Sequence, residues 1–366
     1  NTPKTIKNNN ISNSTIDVVI QNAGGLFGSV INSAVIDNCN VESVTINNPN
    51  IEAGSGYQNS SYYAILGGLV GYSNDITIKN SSNVKKSNIT ISNGIGKPAY
   101  AAGMLGFSKG DVTIDDSKVI NTTVNNETAD GIIGGFVGMT DYKEAQYISK
   151  ILNISNSSLE NCNNITGKKH VGGVLGFGRI NANNITISNS TIEGLGDSGD
   201  VGGIVGNNEL DSTINGVIAT NINVSGKQHV GGIVGYSKSK ISNVNISEST
   251  ISGANGVVGG IVGNVSLNTA TIDNCNVDKC DINSKGGMIG GVAGFANTTV
   301  SECSTTNSNI TVTDGQACMG GIVGLGGNSI VIENSSVKGN TITGTGTKGD
   351  IIGAPDINLD SCTIDT

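Results

Sequence analysis

Two histidines and one aspartate occupy matching places in a repeated segment of this sequence. His170 and His229 each directly precede a Val-Gly-Gly, and Asp200 holds the same place in the copy between them. If consecutive copies stack, the three side chains line up on one face at about 5 Å per step. That spacing suits a metal site or two imidazoles linked by a carboxylate.

The other copies argue against a ligand set at this place, because they carry unrelated residues there. These residues are Asn22, Ile65, Tyr100, Ile132, Val257, Met288 and Cys318. A position that accepts so many side chains is more typical of a solvent-facing site with no required residue than of a ligand position. We therefore expect no metal and no cofactor.

Seven cysteines are the next candidates for chemistry. Five of them fall in or near a slot where other copies have serine, such as Ser81, Ser117, Ser190 and Ser335, and these five are Cys39, Cys162, Cys275, Cys303 and Cys362. Exchange of cysteine with serine predicts a small buried side chain, since a free cysteine packs as a small hydrophobe. The odd count does not indicate a disulfide framework. Cys275 and Cys303 would be neighbours in successive copies, which leaves one disulfide open at this point.

Paired carboxylates could make the chain a polysaccharide lyase or glycosidase, which needs two or three acidic groups on one face. The candidates are Asp115 with Asp116, and Asp278 with Asp281. Neither pair has an arginine nearby, because the sole arginine is Arg179. Acidic residues beside serine and threonine in turns are usually caps. We predict that the chain is not an enzyme, and a carbohydrate-active enzyme is the alternative.

The elements that position these residues follow from a repeated glycine block. Ten copies, such as Ala23 to Gly28, have first glycine slots at 24, 67, 102, 134, 172, 202, 231, 259, 290 and 320. Glycine at the same places ten times predicts a sharp bend or a close approach of backbones. The repeat glycines are Gly25, Gly28, Gly68, Gly71, Gly103, Gly106, Gly135, Gly138, Gly173, Gly176, Gly203, Gly206, Gly232, Gly235, Gly260, Gly263, Gly291, Gly294, Gly321 and Gly324.

Alternating apolar residues after each block, such as Ile76-Thr-Ile78 and Ile185-Thr-Ile187, predict short strands with one buried face. Three such strands in a period of about 30 residues cannot bury a core within one copy, whereas stacked copies can. The sequence therefore predicts one all-β domain over residues 1–366, a parallel β-solenoid (β-helix) of about 11 coils. Asn and Ser at equivalent turns could form ladders along its axis. Loop insertions are expected near 47–63, 93–100 and 141–149.

Composition excludes several classes of function. The chain of 366 residues has 54 Gly, 13% charged residues and 4% aromatics, which is unlike a helical globular enzyme. Its net charge of -9 makes nucleic acid an improbable partner. No apolar run approaches the roughly 20 residues of a membrane span. The sequence stops inside a patterned segment, and we expect it to be part of a longer polypeptide.

The blocks Gly25-Leu-Phe-Gly28 and Gly68-Leu-Val-Gly71 resemble the GLUG motif, and the resemblance runs from about Ala23 to Ala354. That motif occurs in large secreted or surface proteins of bacteria, including adhesin-like proteins and the non-catalytic part of immunoglobulin A-specific metallopeptidases. The resemblance implies a secreted or surface repeat region and no catalytic residues. The chain also has no His-Glu-x-x-His.

These features predict a non-enzymatic structural or adhesive segment that lies outside the cell or on the bacterial surface. It would act as a stalk or present a binding surface to a host or cell-surface protein or glycan. Exposed tyrosine is common in such contacts. The scarce aromatics concentrate in and near the expected insertions, and the candidate binding residues are Tyr57, Tyr62, Tyr63, Tyr100 and Tyr142.

Overall fold

The protein is a parallel β-solenoid with no helix in the part of the chain that the structure describes. The computed structural model describes residues 3–18, 21–48, 64–92, 99–128, 130–141, 150–354, 358–360 and 363–365. Its 47 strands stack in about ten turns, and each strand pairs in parallel with its counterpart in the next turn. The predicted fold class is thereby confirmed.

Each coil has five strand positions. In the middle coils one continuous strand covers the first and second positions. The strand Leu175–Ser188 also covers the fifth position of the preceding coil. Strands with a first position are Lys4–Lys7, Ala34–Asp37, Ile76–Lys79, Val112–Asp115, Ile151–Glu160, Leu175–Ser188, Thr213–Thr220, Lys240–Ser247, Thr271–Asp278, Thr299–Ser301, Val331–Glu333 and Asn358–Asp360. Separate second-position strands are Asn83–Lys85, Lys118–Ile120, Ser304–Thr306, Ser336–Lys338 and Thr363–Asp365.

The third position is continuous with the second in the first two coils and with the fourth in the last two. Strands with a third position are Asn10–Asp17, Asn40–Asn48, Asn88–Ile91, Thr123–Asn126, Asn164–Gly167, Thr191–Gly194, Asn223–Gly226, Thr250–Gly253, Asp281–Ser284, Asn309–Gly320 and Thr341–Gly349.

The fourth and fifth positions flank the glycine block. Separate fourth-position strands are Gln21–Gly24, Ala64–Gly67, Ala99–Ala102, Gly131–Gly134, His170–Gly172, Asp200–Gly202, His229–Gly231, Val257–Gly259 and Gly287–Gly290. Separate fifth-position strands are Phe27–Val30, Val70–Ser73, Leu105–Ser108, Val137–Thr140, Val205–Asn208, Val234–Ser237, Val262–Val265, Ala293–Ala296, Val323–Gly326 and Ile352–Ala354.

The core is built from files of identical side chains that run along the axis. In the first position, Ile36 pairs with Ile78, Ile78 with Ile114, and Ile114 with Ile154. All four are at most 1% exposed. Burying one such side chain contributes about 1.5–3 kcal/mol, and the register repeats that contribution from coil to coil.

Asparagine forms most of the corners that separate the first three strand positions. Asn184 and Asn189 have φ of 54° and 48°, a left-handed conformation that asparagine tolerates better than most residues. Their side chains also join the coils, because Asn184 Nδ2 donates to Asn156 Oδ1 at 2.7 Å and Asn189 Nδ2 donates to Asn161 Oδ1 at 3.1 Å. The predicted ladders of polar turn residues are present.

The glycine blocks let the fourth and fifth positions fold back on each other. A Cβ on Gly68 would lie 2.0 Å from the carbonyl oxygen of Gly103, and one on Gly67 would lie 2.0 Å from that of Val70. Real Cβ atoms do not come so near a carbonyl oxygen, so only glycine fits at these points. This confirms the predicted close approach of backbones.

The structure divides each coil more finely than the sequence predicts. We expected three strands, with the glycine block as one of them. The structure has two strands in the block, whose glycines are typical of turns and hid its extended backbone, and three strands between blocks, where we expected two. The three expected insertions fall largely on residues 49–63, 93–98 and 142–149, which lie outside the described residues. Their presence stays a prediction.

Candidate functional site

A double file of mostly half-buried side chains runs along the outside of the fourth and fifth positions, and we call it the arch stripe. One file is the residue before each Val-Gly-Gly-like block, and the other is the residue after the last glycine of the block. The second file is Ser29, Tyr72, Phe107, Met139, Phe177, Asn207, Tyr236, Asn264, Phe295 and Leu325. Each residue of the first file has its partner seven positions later in the sequence.

The two files contact each other within a coil. The ring centroids of Tyr100 and Phe107 lie 5.1 Å apart, and those of His170 and Phe177 lie 5.2 Å apart. Asn22 Nδ2 donates to Ser29 Oγ at 2.8 Å in the first coil. In these coils the fold therefore brings residues i and i+7 together across the glycine turn.

The arch stripe collects most of the aromatic side chains of the described residues. Six of these aromatics belong to it and all six are half-buried: Tyr72, Tyr100, Phe107, Phe177, Tyr236 and Phe295. Sequence reasoning found only Tyr100 among them. The missed signal was the aromatic residue directly after the last glycine of the block, as in Gly235-Tyr236 and Gly294-Phe295.

The centre of the arch stripe holds the cluster of His170, Asp200 and His229. His229 Nδ1 lies 2.6 Å from Asp200 Oδ1, and His170 Nδ1 lies 3.0 Å from Asp200 Oδ2. Asn207 Nδ2 donates to Asp200 Oδ2 at 2.7 Å. The predicted stacking of His, Asp and His on one face is correct, and the carboxylate links the two imidazoles.

Asp200 is 5% exposed, yet its carboxyl stays ionised. Burial alone would raise the pKa of Asp200, but its interactions with His170 and His229 outweigh burial and lower that pKa to about 2. A carboxyl that keeps its charge at neutral pH cannot act as a general acid. It can orient the His229 ring, because Nδ1 of that ring is hydrogen-bonded to it.

The cluster does not fit a metal site. Over the described ranges, no group of three His, Cys, Asp or Glu side chains is arranged to hold an ion. Both Nδ1 atoms already contact the carboxylate that would have to share the metal. Asn264 Nδ2 lies 3.3 Å from His229 Nε2.

The carboxylates weighed as catalytic pairs belong to the corner ladders. Asp115 Oδ1 accepts hydrogen bonds from Ser155 and Asn156 of the next coil, at 2.7 and 2.9 Å, and these bonds lower the pKa of Asp115. Asp278 Oδ1 likewise accepts one from Thr306 at 2.6 Å, which lowers its pKa. This bonding is that of structural caps.

The described cysteines are free thiols, and all except the half-buried Cys318 are buried. The buried ones replace serine as corner residues: Cys162 Sγ donates to Glu160 O, as Ser190 Oγ donates to Ser188 O. Two assignments were wrong, because Cys162 and Ser190 lie at the second corner with Cys280 and not at the first. The two corners have almost the same sequence pattern, Asn followed by a small residue.

Of the five tyrosines predicted to bind a partner, one lies in the described residues. Tyr100 lies in the arch stripe, half-buried against Phe107. Tyr57, Tyr62, Tyr63 and Tyr142 lie outside the described residues. Farther along the arch stripe, a shallow depression of about 530 Å³ is lined partly by Met288, Cys318 and Thr347.

Comparison with known proteins finds no matching family model and no matching curated protein. Among solved structures, a putative immunoglobulin A1 protease from Bacteroides ovatus is similar over 92% of this chain and 78% of its own, with 14% identity and a TM-score of 0.35. The A-module of the Azotobacter vinelandii mannuronan C-5 epimerase AlgE4 is similar over 92% and 91%, with 12% identity and a TM-score of 0.32. Scores this low give no basis for transferring an activity to this chain.

The hydropathy of the described residues adds one observation. None of them forms a helix of the length and apolar character that a membrane span requires.

Proposed function

We propose that this chain is a non-enzymatic structural or adhesive segment of a bacterial surface or secreted protein, working outside the cell as a β-solenoid rod that presents a binding surface. The observation that carries the proposal is the arch stripe, where half-buried aromatic side chains recur in register along the coils. Aromatic side chains supply large contact areas at low entropic cost, and they dominate many binding surfaces. A cell-surface protein or glycan is the partner that we propose.

Two further features support a non-enzymatic role. The carboxylates that could have formed catalytic pairs accept hydrogen bonds from the next coil. The resemblance of the glycine blocks to the GLUG motif supports a secreted or surface setting.

The proposal is tested by measuring binding to intact cells and to an array of glycans and surface proteins. The triple variant Phe107→Asn, Phe177→Asn, Tyr236→Asn removes three aromatics from the arch stripe, and Asn207 and Asn264 show that asparagine fits this file. We expect about a tenfold or greater loss of affinity, because aromatic hot spots carry much of the energy at an interface. Circular dichroism checks that the rod stays folded.

Two further variants give that measurement its controls. Thr113→Ala changes an exposed side chain on another face and should leave binding unchanged. Deletion of residues 49–63, which leaves the strand Asn40–Asn48 intact, tests the tyrosine-rich insertion separately. If the parent protein binds nothing on the cells or the arrays, adhesion is wrong, and if only the deletion reduces binding, the surface is the insertion.

A carbohydrate-active enzyme on the same scaffold is the second candidate. The observation that favours it is a buried carboxylate orienting an imidazole, an arrangement used for general base catalysis. Incubation with a panel of polysaccharides would then produce new reducing ends or unsaturated ends, and His229→Gln would abolish them. No new ends from the parent protein would exclude this candidate for that panel.

A further inference from the structure

Cys275 and Cys303 occupy the same corner slot in successive coils. The register pairs on either side, Asp273 with Ser301 and Asn276 with Ser304, place the two cysteines opposite each other. Neighbouring parallel strands lie about 4.8 Å apart. That separation is within the range of about 4.4–6.8 Å between the Cα atoms of a disulfide.

Both thiols are buried in the core. Cys275 and Cys303 are each 1% exposed, so both thiols are shielded from water. Each sulfur also donates to the carbonyl oxygen two residues earlier, Cys275 to Asp273 at 3.3 Å and Cys303 to Ser301 at 3.1 Å. No other two described cysteines occupy the same corner slot of successive coils.

We propose that Cys275 and Cys303 are a reversible redox pair that closes into one disulfide between adjacent coils when the chain folds with a low-molecular-weight disulfide such as oxidised glutathione. One cysteine thiolate attacks oxidised glutathione, which releases one glutathione thiolate and leaves a mixed disulfide. The second cysteine thiolate attacks the protein sulfur of that mixed disulfide and releases the second glutathione. Two protein thiols are oxidised, one glutathione disulfide is reduced, and the two thiol protons end on the two glutathiones.

The folded coil protects the reduced pair from this exchange. The neighbouring Cys303 thiol and burial both raise the pKa of Cys275, so few thiolates form, and the thiolate is the attacking species. Exchange is therefore fast only before the two coils dock or after they open. The inference concerns only these thiols and does not depend on the function proposed above.

Cys280 is a matched control within the same coil. It is 1% exposed, its sulfur donates to Asp278 O at 3.3 Å, and burial raises the pKa of its thiol to about 11. Its neighbours along the axis are serines, and its N–H donates to Ser308 Oγ at 3.0 Å. Cys280 therefore shares the environment of the pair but has no sulfur beside it.

The experiment refolds the full chain from denaturant in buffers with and without oxidised glutathione, and maps disulfides by mass spectrometry of unreduced peptides. We expect a peptide pair joined through Cys275 and Cys303, and a rise of several degrees in the unfolding midpoint that a reductant reverses. Cys280→Ser should change neither result. Cys303→Ser should fold, since Ser335 fills that slot in the next coil, and it should lose both the linked peptide and the midpoint shift.

The outcomes that overturn the proposal are equally definite. Recovery of Cys275 and Cys303 as free thiols or as separate glutathione adducts after oxidative refolding would contradict it. So would a linked pair that lowers the midpoint, because the coil would then not accommodate the bond.

Discussion

Asp200 is the side chain on which the centre of the arch stripe depends. It receives His229 and Asn207 on different oxygens and lies against His170, so it links three successive coils through side chains. A buried charge of this kind is stable only while its partners remain, and removal of one partner leaves an expensive unpaired group. The histidines and the aspartate are therefore best understood as one unit that fixes the register of the fourth position.

The first prediction concerns acid stability at Asp200. The folded pKa of about 2 lies below the ordinary value of 3.8, so the deprotonated carboxylate stabilises the fold above about pH 4. This stabilisation is lost as the pH falls from about 4 toward 2, and it amounts to about 2 kcal/mol. Urea unfolding between pH 2 and pH 5 should show that loss in the parent and a flatter profile in Asp200→Asn.

An exposed carboxylate provides the comparison for this experiment. Asp197 pairs with Lys227 at 2.7 Å but is almost fully exposed. Asp197→Asn should keep the acid profile of the parent, because solvent screens such a pair. Identical profiles for Asp200→Asn and the parent would show that Asp200 does not supply the acid sensitivity.

At the scale of the element, the glycine turn decides how a coil closes. Gly103 lies where the backbone of the next coil passes directly over it, and a Cβ there would be 2.2 Å from the carbonyl oxygen of Gly135. The same contact recurs from coil to coil, as at Gly173 and Gly203. The repeated glycines are therefore required for the contact between coils as well as for the bend.

The second prediction is that Gly103→Ala destabilises the rod by about 3 kcal/mol or more, since backbone must move to admit one methyl group. Gly286→Ala is the matched control, because its Cβ would find no atom closer than 3.5 Å. Denaturant unfolding of both variants measures the difference. Equal stabilities would mean that the coils can separate enough to admit a side chain.

The sequence predicts the features that repeat from coil to coil, and it does not predict the contacts that depend on how one turn folds back. The glycine blocks and the alternation in segments such as Ile76–Lys79 predict parallel stacking, because a repeated slot must meet its own copies. The contact between Tyr100 and Phe107 was not predictable in this way. It depends on the fifth position folding back on the fourth, and the glycines that allow this are typical of a simple turn.

At the scale of the whole molecule, each coil is held by its two neighbours. The described pairings join strands of adjacent coils, so stability is approximately a sum of coil and interface contributions. Contacts between distant coils are absent from these pairings. A rod built in this way should tolerate a change in the number of coils better than a change in their register.

The third prediction follows from that construction. Deletion of residues 230–257 removes one full turn, because His229 pairs with Val257, and it restores His-Val-Gly-Gly at the junction. The shortened chain should fold into a rod about 4.8 Å shorter, measured by small-angle scattering. Deletion of residues 230–243 removes half a turn and should prevent cooperative folding. Equal behaviour of the two deletions would contradict the register requirement.

The direction of the hydrogen bonds between coils determines how the rod responds to tension. These bonds run along the axis, so a pull on the two ends loads the outermost interface first and leaves the inner ones intact. Each coil that peels away frees about 30 residues, which extend to about 100 Å. A tether made from this chain would therefore lengthen stepwise under load. Each step dissipates mechanical work while the remaining coils stay folded.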